Sequence, residues 1–68
     1  MDHSVQGYLQ RLSSDELEVF LRRCMLLDQW YDYDHIVPQI LKLLKLRSHP
    51  VPQQILNSWE AYQEKKQV

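Results

Sequence analysis

Glycine and cysteine each occur once in the 68 residues, and proline occurs three times. A single cysteine, Cys24, excludes an intrachain disulfide and a cysteine-based zinc cluster, which favours a reducing, cytoplasmic setting. Because tight β-hairpin turns favour glycine and the chain has so little glycine and proline, we expect few hairpins and an all-α fold. No run approaches the roughly 18 apolar residues that span a bilayer, and residues 1–4 lack the basic start of a signal peptide. We therefore expect a cytoplasmic protein without a membrane partner.

The sequence also lacks a large excess of positive or negative charge, because it has 8 Lys and Arg residues and 9 Asp and Glu residues, for a net charge of -1. This balance gives no overall attraction to nucleic acid or to an acidic membrane. A glycine-rich phosphate loop, a His-Glu zinc pair and a serine elbow are all absent from the sequence. We therefore expect no catalytic activity, no cofactor and no metal site.

Hydrophobic residues make up 44% of the chain, which indicates one folded domain over residues 1–68. Periodicity predicts a small three- to four-helix bundle built on a helical hairpin, with helices over residues 4–11, 14–27, 35–47 and 52–65. Ser13 and Glu16 have the spacing of a capping box at the second of these helices. Asp34 or a neighbouring residue is the predicted cap of the third, and Pro52 suits the first position of the fourth.

The helix predicted over residues 35–47 has more apolar side chains than one stripe requires. They are Ile36, Val37, Ile40, Leu41, Leu43, Leu44 and Leu46. A third helix or another chain has to cover the second face. A chain this short also buries only about 60% of the surface that its unfolded form exposes, so self-association would help its stability. Cys24 falls on the core face of the preceding helix, where we expect a buried, inert thiol.

Residues 28–34 combine acids with aromatic rings and are expected to connect two helices. The aspartates do not have the spacing of a calcium-binding EF-hand loop. The aromatic side chains are either core residues that close one end of the bundle or anchors for a protein partner. In the second interpretation the aspartates select a basic partner. The predicted partner-binding residues are Trp30, Tyr31, Tyr33, Asp28 and Asp32.

A DNA-binding regulator is the alternative function. Lys42, Lys45 and Arg47 form a basic stripe on the helix over residues 35–47. However, Asp32 and Asp34 lie where the start of a recognition helix would approach DNA, and carboxylates repel phosphate. We therefore expect a protein partner, or a second copy of the chain, in preference to nucleic acid.

Several short segments carry a resemblance to known families. They are Tyr8 and Leu9, residues 12–18, residues 32–34, Ile36, and Ile40 with Leu41. This pattern resembles small uncharacterised helical proteins of Gram-positive bacteria, and the resemblance implies a bacterial source. The stretch over residues 12–48 also resembles, more distantly, the helical hairpin that inhibits a sporulation histidine kinase. Residues 50–68 lie outside both resemblances and Pro38 departs from the hairpin, so no functional residue is carried over.

Together these features predict a small non-enzymatic protein-protein interaction module that is regulatory and can self-associate.

Overall fold

The computed structural model describes the backbone of residues 5–66 and the side chains of residues 7–66. Within these residues the fold is all-α, as predicted, and contains no strand. The helices are α1 (Val5–Gln10), α2 (Ser14–Leu26), α3 (Trp30–Tyr33), α4 (Val37–Leu46) and α5 (Gln53–Lys66). The helix bounds agree with the sequence-based ones to within a residue or two, apart from α3. This single turn lies in the segment that was expected to be only a connection. None of the helices described is long and apolar enough to cross a membrane.

The start of α2 has the predicted capping box. The Ser13 hydroxyl accepts a hydrogen bond from the Glu16 backbone N–H at 3.1 Å, and the Glu16 carboxylate accepts one from the Ser13 backbone N–H at 2.8 Å. Two backbone donors that the first helical turn leaves without partners are thereby satisfied. The sequence signal is local, and its prediction is confirmed.

Both α2 and α4 end in a residue with left-handed backbone. Asp28 has φ 53° and Ser48 has φ 57°. Beyond each, a backbone N–H returns to the helix: Gln29 donates to the Cys24 carbonyl at 2.8 Å, and His49 to the Leu44 carbonyl at 2.9 Å. This is the Schellman arrangement, in which glycine usually takes the left-handed position. Since the only glycine is Gly7, aspartate and serine adopt that conformation here.

The start of α4 differs from the expectation. Ile36 is the residue before the helix and gives it no side-chain cap, so the predicted capping role of Asp34 is wrong. The Asp34 carboxylate instead accepts hydrogen bonds from α5. Pro38 lies in the first turn, where its missing N–H removes no helical hydrogen bond.

The core is built from all five described helices. Its buried members are Leu9, Leu17, Leu21, Cys24, Trp30, Val37, Ile40, Leu44, Ile55 and Trp59. Helix α2 packs against both α4 and α5, and α1 packs against α4. The same chain therefore covers much of the second apolar face of α4, on which Leu41 and Leu43 are partly buried. Leu46, at the end of that helix, stays 73% exposed.

Candidate functional site

The aromatic residues of α3 separate into inward and outward positions. Trp30 is buried at 3% exposure, and its indole N–H donates to the Ser58 hydroxyl at 2.9 Å. Tyr33 is half-buried and meets the Phe20 ring edge-on, at a centroid distance of 5.0 Å. Residues three apart share a helix face, so burying this pair turns Tyr31 outward. Tyr31 is 79% exposed.

The sequence left open whether these aromatics are core residues or partner anchors. Trp30 is a core residue, because its ring centroid lies 5.3 Å from that of Trp59 and it exposes almost no surface to a partner. Tyr31 is the aromatic side chain of α3 that remains free to meet another molecule. Asp28 and Asp32 are exposed close to it along the chain.

The last turns of α5 are tied to the end of α3 by Asp34. The Tyr62 hydroxyl donates to Asp34 Oδ2 at 2.7 Å, and Lys66 Nζ donates to the same oxygen at 2.8 Å. These hydrogen bonds, from Lys66 first and then from Tyr62, lower the pKa of the Asp34 carboxyl. The same bond to Asp34 raises the pKa of Tyr62 to about 12. Tyr62 also stacks on Trp59, so the arrangement joins the surface to the core.

An open depression of about 400 Å³ lies between these two parts of the surface. We call it the α3 corner and define it by its lining residues Asp28, Tyr31, Tyr62, Lys65 and Lys66. One wall comes from the turn between α2 and α3 and from α3 itself, and the other comes from the last two turns of α5. The depression is shallow and open to solvent, a shape that suits contact with another protein better than enclosure of a small molecule.

Charges on the α3 corner are only partly paired. Lys66 is held by Asp34. Across the part of the chain that the structure describes, no ion pair involves Asp28, Asp32 or Lys65. These side chains are exposed, so their charges remain available to another molecule.

A second groove, of about 290 Å³, lies on the other side of α3. Its apolar lining includes Leu12, Val19, Phe20 and Tyr33, and Cys24 also reaches it. Cys24 is 1% exposed, which confirms the expected burial, and burial raises the pKa of its thiol. The thiol is therefore poorly suited to act as a nucleophile. Within residues 7–66, no group of three or more histidine, cysteine or acidic side chains could hold a metal ion.

The basic stripe of the DNA-binding alternative is not a continuous open surface. The Arg47 guanidinium donates to the Leu12 carbonyl at 2.8 Å and to the Gln10 carbonyl at 3.1 Å. Arg47 therefore joins the end of α1 to the end of α4. Lys42 and Lys45 are exposed, but two lysines make a small phosphate-binding surface.

Three members of the α3 corner, Tyr62, Lys65 and Lys66, were not among the predicted site residues. Tyr62 continues the apolar stripe of α5, and the two lysines lie in the last turn of that helix. Their position beside Asp28 depends on how α5 packs, a contact that no local pattern encodes.

Comparison with known proteins adds no relative from which a role could be transferred, so both resemblances described from the sequence stay predictions. The function has to be inferred from the geometry of the surface. No protein-family model, curated protein or solved structure matches the chain.

Proposed function

We propose that the chain is a small non-enzymatic protein-binding module and that the α3 corner is its binding surface. The observation that carries this proposal is Tyr31, whose 79% exposure is the highest of any large hydrophobic side chain within the described residues. Tyrosine is a favourable anchor because it offers a large rigid ring and a hydroxyl while losing little rotamer entropy.

The anchor is mounted on a fixed support. Trp30 and Tyr33, on either side of it in the sequence, pack inward against Trp59 and Phe20. The backbone of α3 is therefore held in place before any partner arrives, and binding does not have to bear the cost of ordering it. The neighbouring Asp28 and Asp32 favour a partner that brings basic groups to the rim of the contact.

Two exposed tyrosines allow a matched test. Tyr31 lies on the α3 corner, whereas Tyr8, 65% exposed, lies on α1. The chain is immobilised as wild type, Tyr31→Ala or Tyr8→Ala, and the proteins retained from a lysate of the source cells are quantified. We expect Tyr31→Ala to reduce specific retention by about tenfold or more, the loss typical of an interface anchor, and Tyr8→Ala to leave it unchanged.

Circular dichroism and thermal unfolding of both variants control for folding. If all three proteins retain the same partners in the same amounts, or if Tyr8→Ala causes the loss, the α3 corner is not the binding surface.

A further inference from the structure

The walls of the α3 corner carry opposite charges. Asp28 contributes a carboxylate beside Tyr31 on one wall, and Lys65 contributes an ammonium group on the other. Both line the same depression, yet they form no salt bridge with each other. Lys66 is paired with Asp34, but Asp28 and Lys65 have no ion-pair partner within the described residues of their own chain.

We propose that the occupant of the α3 corner is the α3 corner of a second copy of this chain, related to the first by a twofold axis. The inference rests on the proposed function and names its partner. In a twofold interface the same patch serves both copies, so that residue i of one meets residue j of the other, and the reverse. The interface then contains two equivalent contacts, in each of which Asp28 of one copy lies opposite Lys65 of the other. The twofold axis runs close to Tyr31.

This occupant matches both features of the patch. The charges are complementary under a half-turn, which steers the copies together and fixes their register. The Tyr31 rings meet at the centre, where aromatic pairs contribute most when water is excluded.

The small surface of the chain is consistent with a weakly associating dimer. A specific interface at the small end of the standard range covers about 600 Å² on each copy. The chain exposes 5195 Å² in all, so such a contact would cover roughly one ninth of its surface. The α3 corner would form the centre of that contact, and we expect association that depends on protein concentration.

Charge reversal tests the pairing, because the geometry predicts which combinations pair. The variants are Asp28→Lys, Lys65→Glu and the double variant that carries both. Each single variant replaces two attractive contacts between copies with two repulsive ones, so we expect the dimer to weaken by about tenfold or more. An equimolar mixture of the two single variants restores both contacts, and so does the double variant on its own.

Sedimentation equilibrium over micromolar to millimolar protein, at low and at high salt, measures these equilibria, and circular dichroism verifies folding. Wild-type dimers that are weakened by either single reversal and restored in the mixture support the proposal. A wild-type chain that stays monomeric throughout overturns it. Dimers whose dissociation constant is unchanged by the charge reversals overturn it as well. In either of these cases the retention assay with Tyr31→Ala still decides separately whether the α3 corner binds a different protein.

Discussion

Replacing Ser48 with glycine should stabilise the fold. Ser48 follows α4 with φ 57°, and its backbone N–H donates to the Lys45 carbonyl at 3.0 Å. A side chain with a Cβ is disfavoured there by about 1–2 kcal/mol, whereas glycine adopts the conformation without that penalty. Glycine in turn costs about 0.5–1 kcal/mol through the entropy of the unfolded chain. The midpoints of these two ranges differ by about 0.75 kcal/mol, so we expect a net gain of about 0.5–1 kcal/mol for Ser48→Gly.

For a domain of this size, 1 kcal/mol corresponds to a shift in melting temperature of about 4–8 °C, so we expect a rise of about 2–8 °C. Urea and thermal unfolding followed by far-ultraviolet circular dichroism measure both quantities. The Ser48 hydroxyl forms no hydrogen bond with any described residue, so Ser48→Ala keeps the Cβ and removes no hydrogen bond. That variant should match the wild type within about 0.5 kcal/mol.

A glycine inside a helix gives the opposite sign and serves as a second control. Gln63 is exposed within α5, and Gln63→Gly should destabilise the fold by about 0.5–1 kcal/mol. If Ser48→Gly is no more stable than Ser48→Ala, the backbone strain at this position does not control the end of α4.

Two further predictions concern pH. The first concerns the hydrogen bond from Tyr62 to Asp34, which raises the pKa of Tyr62 from 10.0 in the unfolded chain to about 12 in the folded one. The contribution of this bond to the free energy of unfolding is therefore fully present below pH 10 and is lost as the pH rises towards 12. The difference in the free energy of unfolding between wild type and Tyr62→Phe, measured in urea, should therefore become smaller between pH 10 and about 12. A difference that stays constant over this range would contradict the prediction. Hydrogen bonds from His49 and Arg22 lower the pKa of Glu18 from 4.5, so its contribution is present above pH 4.5 and is lost as the pH falls through the lowered value. Glu18→Gln should flatten the acid side of the stability profile, whereas two parallel profiles would refute the role of this carboxylate.

Local signals in the sequence were sufficient to predict every described helix except α3. The capping box at Ser13 and Glu16 involves residues three apart, and each of its two hydrogen bonds joins a backbone N–H to a side chain within the first turn of α2. Apolar spacing likewise placed Leu17, Leu21 and Cys24 on one face, where all three are buried. In each case the residues that decide the outcome lie within a few positions of one another.

Long-range contacts explain what the sequence did not predict. Asp34 looked like a helix cap, but hydrogen bonds to Tyr62 and Lys66, 28 and 32 residues away, use its carboxylate instead. Trp30 likewise forms its hydrogen bond with Ser58, 28 residues on. Both contacts depend on where α5 packs, and α3 forms where Trp30 turns into the core. Periodicity over four residues is too short to reveal such a turn.

Exposure of Tyr31 alone would not define a site, because single apolar side chains are common on protein surfaces. Tyr8 and Leu46 are nearly as exposed, at 65% and 73%. Tyr31 differs from them because it lies on a helix that Trp30 and Tyr33 anchor to the core, and because it lines a depression with Asp28 on its own wall and Lys65 on the opposite one. A partner with a basic rim would use only the acidic wall, whereas a second copy would use both. Reversing the charge of Lys65 therefore separates the two partners, since it should weaken self-pairing and leave a different basic partner bound.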